Sequence, residues 1–414
     1  MLGKVDRVRL KKISELIYNA SREVKILRHL NWPVSVRYKF FKSGSEKLPQ
    51  VEYPEFDPSL IFSRLKKARG LLGDTPFDDW LEKKTHDIEA GAHLIANCGT
   101  ERFHKYSSNI YGIPKEMLRD GETTPIELAT RFRSIFDHYE KSDIAQQNVK
   151  SIRPEEICDR IQSRVKEVFA DESPKVILAD GISAKATASS KRIRIRKGAS
   201  FTEKDIDQLI NHEALVHVAT TLNGRAQQNM KILGANYGGV TKTQEGLAVF
   251  SEFITGCIDV KRMYRVLDRV LAIQMAIDGA DFIEVYRFFL PRTKLKTQAY
   301  ENTRRIFRGA PLTGRFPFTK DIVYLDGMVR VHNFFRAAVA NSRLDLIELL
   351  FWGKLDLDDI PIIKKLKDED ILKKPKYLPY WVKDLNYLIS FFTFSIFVGQ
   401  MDHDRSDAYY ASLF

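Results

Sequence analysis

The chain's 414 residues are 44% hydrophobic and 29% charged, enough apolar material for a sizeable core and too much for a disordered polymer. Three cysteines, Cys98, Cys158 and Cys257, lie far apart, which excludes a disulfide framework and a thiolate zinc motif and points to a reducing, cytoplasmic setting. The formal charge of +12 favours acidic partners, whether nucleic acid, anionic lipid or an acidic peptide.

The first stretch, "MLGKVDRVRLKKISELIYNA", carries charges throughout and lacks the continuous apolar run of a signal peptide. Its Leu10, Ile13 and Ile17 recur on one helical face. Residues 43–58 gather turn formers and read as a loop; helical patterns follow from about 59 to 97 and from about 125 to 170. Between them, "GTERFHKYSSNIYGIP" reads as a polar and aromatic loop. From residue 174 the character changes: "KVILAD" and "KRIRIRK" are β-like, the second alternating strictly between basic residues and isoleucine. It reads as an edge strand with a charged solvent face, or as a cleft edge offering backbone pairing to an extended peptide. This change divides the chain into a helical region, 1–172, and a second region, 173–414. The apolar run 387–398 is too short to span a bilayer and reads as a buried helix, so no membrane partner is expected.

The centre of the second region carries the chemistry. Thr202 and Asp205 have the spacing of a capping box, and Ile206, Leu209 and Ile210 lead a helical stripe into "NHEALVH", residues 211–217. Histidines four apart sit about 40° from each other on a helix and can share an ion, whereas five apart they diverge by about 140°. The spacing of His212 and His217 alone therefore leaves two readings open. They are separate polar residues on a partly buried helix, or a metal pair brought together by a π-type widening within "EALV". The helical "QEGLAVFSE" that follows puts Glu245 within reach as a third ligand, with the small Ala248 where two helices must pack closely. A His/His/Glu set leaves a fourth zinc position open, and Glu213, beside the first ligand, is placed to accept a proton from water.

H-E-x(3)-H followed by "TQEGLA" resembles the bacterial QEGLA-motif proteins described as modulators of flavohaemoglobin expression. The same motifs resemble the eukaryotic microtubule-associated tyrosine carboxypeptidases, and the Glu245–Ala248 spacing is similar to the third-ligand helix of gluzincin metallopeptidases. The resemblance takes in "TRRIFRG" (303–309) and "FTKDIVYLDG" (318–327); "LNGRAQQN", from Leu222, departs in form. It implies a mainly helical α+β fold, with a gluzincin-like core of a small sheet and two metal-binding helices wrapped by N- and C-terminal helices. It also implies Zn2+ on His212, His217 and Glu245, Glu213 as catalytic acid/base, and removal of a C-terminal residue from a peptide or protein tail.

A terminal carboxylate suits the bidentate fork of arginine, which makes Arg304, Arg305 and Arg308 candidates together with Lys320; each also reads as a surface charge. Tyr324 reads as an oxyanion donor or as a core tyrosine, and Asn223 as a helix cap or a contact to substrate backbone. His93 and His332 lack ligand spacing. The net charge suits an acidic tail. Two other functions compete: a nucleic-acid-binding regulator, for which no helix-turn-helix, zinc-finger or RNA motif is found, and a non-catalytic metal scaffold, which would not need Glu213. The oligomeric state is not legible.

Overall fold

Leu10, Ile13 and Ile17 face inward along the helix Lys4–Ser21, and all three are fully buried, as their spacing requires. The computed structural model describes residues 3–140, 151–293, 295–401, 407 and 409–413. Helices dominate it, and the sheet found among the described residues has three strands. The helical pattern expected from about 125 to 170 resolves into Pro125–Glu140 and Pro154–Phe169; residues 141–150 of that expectation lie outside the described residues. The stretch read as a polar and aromatic loop is instead the helix Glu101–Tyr111. Its Phe103, Ser107 and Tyr111 recur every four residues and face the core, a stripe that the intervening polar residues disguise.

The strands are β1 (Lys175–Ala179), β2 (Ala186–Ser189) and β3 (Arg192–Arg196). Their order is β1-β3-β2, with β3 parallel to β1 and antiparallel to β2. The "RIRIR" strand is therefore central, not an edge, and both of its backbone rims are already paired. Alternation correctly gave its faces, with Ile193 and Ile195 fully buried, but faces say nothing about which neighbours pair with a strand. The short β2 lies at one side of the sheet, packed beside the histidine-bearing helix.

Two apolar clusters form the core. One joins residues from Leu10 to Ala129 with residues from Val216 to Phe392; the other gathers the Pro154–Phe169 helix, the sheet and the helix that leads into the histidines. The predicted capping box is formed: the Asp205 carboxylate accepts from the Thr202 backbone N–H at 2.8 Å and from its hydroxyl at 3.1 Å. This fixes where that helix begins. Farther on, Thr241–Ile254 crosses Val323–Ala340 at backbone contact through Gly246 and Gly327, where a Cβ on Gly246 would stand 2.2 Å from the Gly327 carbonyl. This close approach involves the glycine of "QEGLA", and it brings Glu245 against the Lys320–Tyr324 segment.

The apolar run near the C-terminus is the helix Asn386–Val398, which is only partly covered. Leu388 and Phe392 are buried, while Phe394 and Phe397 are 70% and 66% exposed. Among the described residues no helix is long and apolar enough to cross a membrane.

Candidate metal centre

The residues Ile210–Val218 form a π-helix, continuous with Glu203–Leu209 before it and Ala219–Arg225 after it. With i→i+5 bonding, residues five apart return to the same face. His212 and His217 accordingly stand with ring centroids 4.9 Å apart and planes at 84°. Both Nε2 atoms face one carboxylate oxygen: Glu245 Oε2 is 3.6 Å from His212 and 3.5 Å from His217. A tetrahedral ion about 2.0–2.2 Å from each ligand keeps those ligands about 3.3–3.6 Å apart, the edge of its tetrahedron. These separations match that edge, and the three donor atoms all lie within 4.8 Å of one another. The donor set fits zinc.

The surroundings of each ligand are built accordingly. His212 Nδ1 donates to Glu252 Oε1 at 2.6 Å, which leaves Nε2 as a lone-pair donor. Glu252 is fully buried and accepts from Arg262 through Nε and Nη2, both at 3.0 Å. Burial opposes charge on His212, but its bonds to Glu245 and Glu252 outweigh this and lift its pKa to about 10. Positive charge is what those carboxylates demand, and a cation on the three ligands would provide it. His217 goes the other way: burial lowers it to about 4, so it is neutral, as a ligand must be. Burial also works against Glu245, yet Lys320 and the two histidines hold it well below the usual carboxylate range.

Glu213 is 7% exposed, and burial, reinforced by Glu245 and Glu252, raises its carboxyl to about 7. A carboxylate so poised is suited to exchanging protons near neutrality. The Tyr324 hydroxyl accepts from Arg305 Nη2 at 3.2 Å, so its own proton remains to be donated. Its ring has four cations around it, Lys320 Nζ at 5.3 Å and the guanidinium groups of Arg262, Arg269 and Arg305 at 5.7–5.9 Å.

The basic candidates fare differently. Lys320 Nζ donates to Glu245 Oε1 at 3.0 Å, and Arg305 is paired with Asp321, its Nη2 bonding Oδ1 at 2.8 Å. Arg304 pairs with Glu301 at 2.6 Å. Arg308 has no carboxylate partner among the described residues: its polar contact is a long one to Ser183 Oγ, 3.5 Å, and burial lowers its pKa to about 10. Asn223 is corrected. Its amide donates to the carbonyls of Phe351 and Tyr377 and accepts from the N–H groups of Lys376 and Tyr377, at 2.7–3.0 Å. All four bonding positions are used in clasping the histidine helix to the C-terminal segments, which leaves nothing for substrate. His93 stacks on Tyr106, and His332 sits against Phe392.

Sequence reasoning missed Glu252, although a residue seven after Glu245 lies two turns on along the same helix face. It also missed Arg262, and Lys354, whose Nζ donates to Gln244 Oε1 at 3.1 Å and whose pKa burial lowers to about 8. Neither carries a spacing signal.

A mainly helical α+β chain with a partly buried His/His/Glu cluster and a neighbouring glutamate poised near neutrality belongs to the class of candidate metal-centred proteins. A comparison with family models makes the assignment specific. Residues 38–400 match the model described as microtubule-associated tyrosine carboxypeptidase, and the chain belongs to that family. No curated protein matches it.

Proposed function

We propose that this protein is a zinc-dependent carboxypeptidase that removes the last residue of a peptide or protein tail, acidic in character. The observation that carries the reading is the spacing of His212, His217 and Glu245 at the edge length of a tetrahedral ion, with Glu213 beside them. Membership of a carboxypeptidase family supports the exopeptidase direction. The same membership makes tyrosine the first residue to test at the tail's end.

His212, His217 and Glu245 hold the ion, and Glu252 with Arg262 keeps His212 in the tautomer that presents Nε2. When bound, zinc supplies Lewis-acid polarisation of the scissile carbonyl and of a water. Glu213 takes the proton of the attacking water and passes it to the leaving amine. Tyr324, oriented by Arg305, donates to the oxygen that gains charge as the carbonyl becomes tetrahedral. Arg308, with no acid of its own, is the member of the 304–320 set free to take the terminal carboxylate. Because β3 is central, an extended peptide has to pair with the β2 rim beside the histidine helix rather than with "RIRIR".

The test is metal analysis of purified wild-type and His217→Ala protein, alongside digestion of tyrosine-ended peptides read by mass spectrometry. One zinc per wild-type chain, lost in the variant, with mass loss confined to the terminal residue, is the expected result. Metal-supplied, folded wild-type protein without zinc, or cleavage at internal bonds alone, overturns it.

A further inference from the structure

The loop between β1 and β2 lies over three arginines, of which the reaction as described uses only Arg308. Arg196, on the central strand, donates from Nη1 to the Ser183 carbonyl at 3.0 Å. Arg304 reaches the Gly181 carbonyl at 3.4 Å, and Arg308 reaches Ser183 Oγ at 3.5 Å. All three also hold a buried Nε–H with no hydrogen-bond partner among the described residues. Arg304 and Arg308 are 5% and 8% exposed. The acid at this place is Glu301, which Arg304 shares with Arg37 at 3.3 Å, while Arg196 finds a neutral partner, Gln298 Oε1, at 2.7 Å. Positive charge therefore exceeds negative in a site mostly shielded from water, and the loop meets Arg304 and Arg308 only through long bonds to neutral oxygens.

Such an arrangement is costly without a ligand, since buried donors left unpaired and charges left unneutralised both oppose folding. Carboxylate oxygens would form shorter, charge-assisted bonds to the same guanidinium groups, about 2.7–2.9 Å, and would neutralise them. The loop is short and partly exposed, from Asp180 to Lys185, and the oxygens it supplies are the groups a carboxylate would replace. Arg304 and Arg308 flank Arg305 in the chain, and Arg305 Nη2 donates to the Tyr324 hydroxyl at 3.2 Å, which ties this cluster to the reacting centre.

We propose that Arg196 and Arg304, beside the Arg308 that takes the terminal carboxylate, form a subsite for a second carboxylate, that of an acidic side chain near the C-terminus of the substrate. Loop oxygens from Gly181 and Ser183 hold the place until the peptide displaces them. This rests on the carboxypeptidase reading for the direction of the peptide, though not for the existence of the subsite. It gives the basic strand "RIRIR" a role in recognition through the Arg196 side chain, without any pairing of its backbone.

The experiment measures binding of fluorescent peptides to the whole, zinc-loaded protein by anisotropy, so that turnover is not required. Glutamate is replaced by glutamine at each of the last three positions in turn, and wild type is compared with Arg196→Met. At one position the wild type should bind the acid form about tenfold or more tightly than the amide form, the range of a charge-assisted bond. Arg196→Met should bring that ratio close to one. Arg196→Gln, which keeps polarity but not charge, gives the same reading if the methionine variant does not fold. A wild type that binds acid and amide forms equally at all three positions overturns the proposal, as does a ratio that survives in both variants. Arg196-dependent acid preference without any hydrolysis would uphold the subsite and refute the peptidase; hydrolysis without preference would do the reverse.

Discussion

Replacing Glu252 with glutamine tests the architecture behind the metal ligands without touching a ligand. The amide keeps the shape and can still accept from His212 Nδ1, but the charge that pairs with Arg262 is gone. Burial raises the Glu252 carboxyl, yet Arg262 and His212 hold it down at about 2 against an ordinary value of 4.5. At 1.36 kcal/mol per pH unit that depression corresponds to about 3 kcal/mol of stability. Because the folded value is the lower one, this contribution is full above pH 4.5 and is lost as the pH falls from there toward 2. Breaking a buried ion pair from one side gives a similar figure, about 3–5 kcal/mol. Loss of a partner to a metal-binding histidine also weakens metal affinity about 10–100-fold. Denaturant unfolding of metal-free protein at pH 7 and zinc competition with a chromophoric chelator measure the two effects separately. Equal unfolding midpoints and equal zinc affinity in wild type and Glu252→Gln would refute the idea that this carboxylate orients His212.

Glu213→Gln should retain zinc and lose kcat by about 10²–10⁴-fold, the usual share of a general base, as read by metal analysis and peptide turnover. In the wild type the base must be deprotonated, so kcat/KM should fall on the acidic side, with its midpoint at or below pH 7 because a bound cation lowers a carboxyl poised at about 7. C-terminal amidation of a cleavable peptide should abolish turnover, and Arg308→Ala should raise KM for the free acid; equal rates for acid and amide would leave an endopeptidase. Gly246→Ala forces a methyl to within 2.2 Å of the Gly327 backbone and should cost about 1–3 kcal/mol in unfolding free energy, with zinc content falling as Glu245 shifts.

The sequence exposed what local geometry controls and hid what distant pairing controls. On a regular helix histidines five apart cannot share an ion, so the π-helix at Ile210–Val218 was one of two readings open before any coordinates, and it is the one the structure adopts. The Thr202–Asp205 box was readable for the same reason. By contrast, the centrality of β3 depends on β1, whose pairing no local pattern encodes. The arginines near 304–308 looked equivalent in one dimension. Only the position of Asp321 distinguishes Arg305, which it neutralises, from Arg308, which has no acid partner among the described residues. Asn223 shows the opposite failure, since a polar residue next to a site attracts a functional role until its four partners are seen.

The distribution of charge also bears on the three partner classes that a net charge of +12 permits. Binding to nucleic acid through phosphates requires cations on an accessible stripe, where counterions can be released. Here Arg262, Arg269, Arg304, Arg305, Arg308 and Lys320 are all 9% exposed or less. Four of them, Arg262, Arg269, Arg305 and Lys320, cluster instead around Tyr324 and the Glu245 carboxylate, inside the protein. Glu252, Asp321 and Glu245 balance Arg262, the Arg269–Arg305 pair and Lys320, but Asp321 serves two arginines and Arg308 has no acid. A divalent ion on His212, His217 and Glu245 would deepen the positive excess. A narrow anionic end that enters the interior relieves that excess, whereas a duplex or a membrane surface cannot reach it. These interior charges therefore favour a peptide terminus, and they do so through where they lie rather than through how many there are.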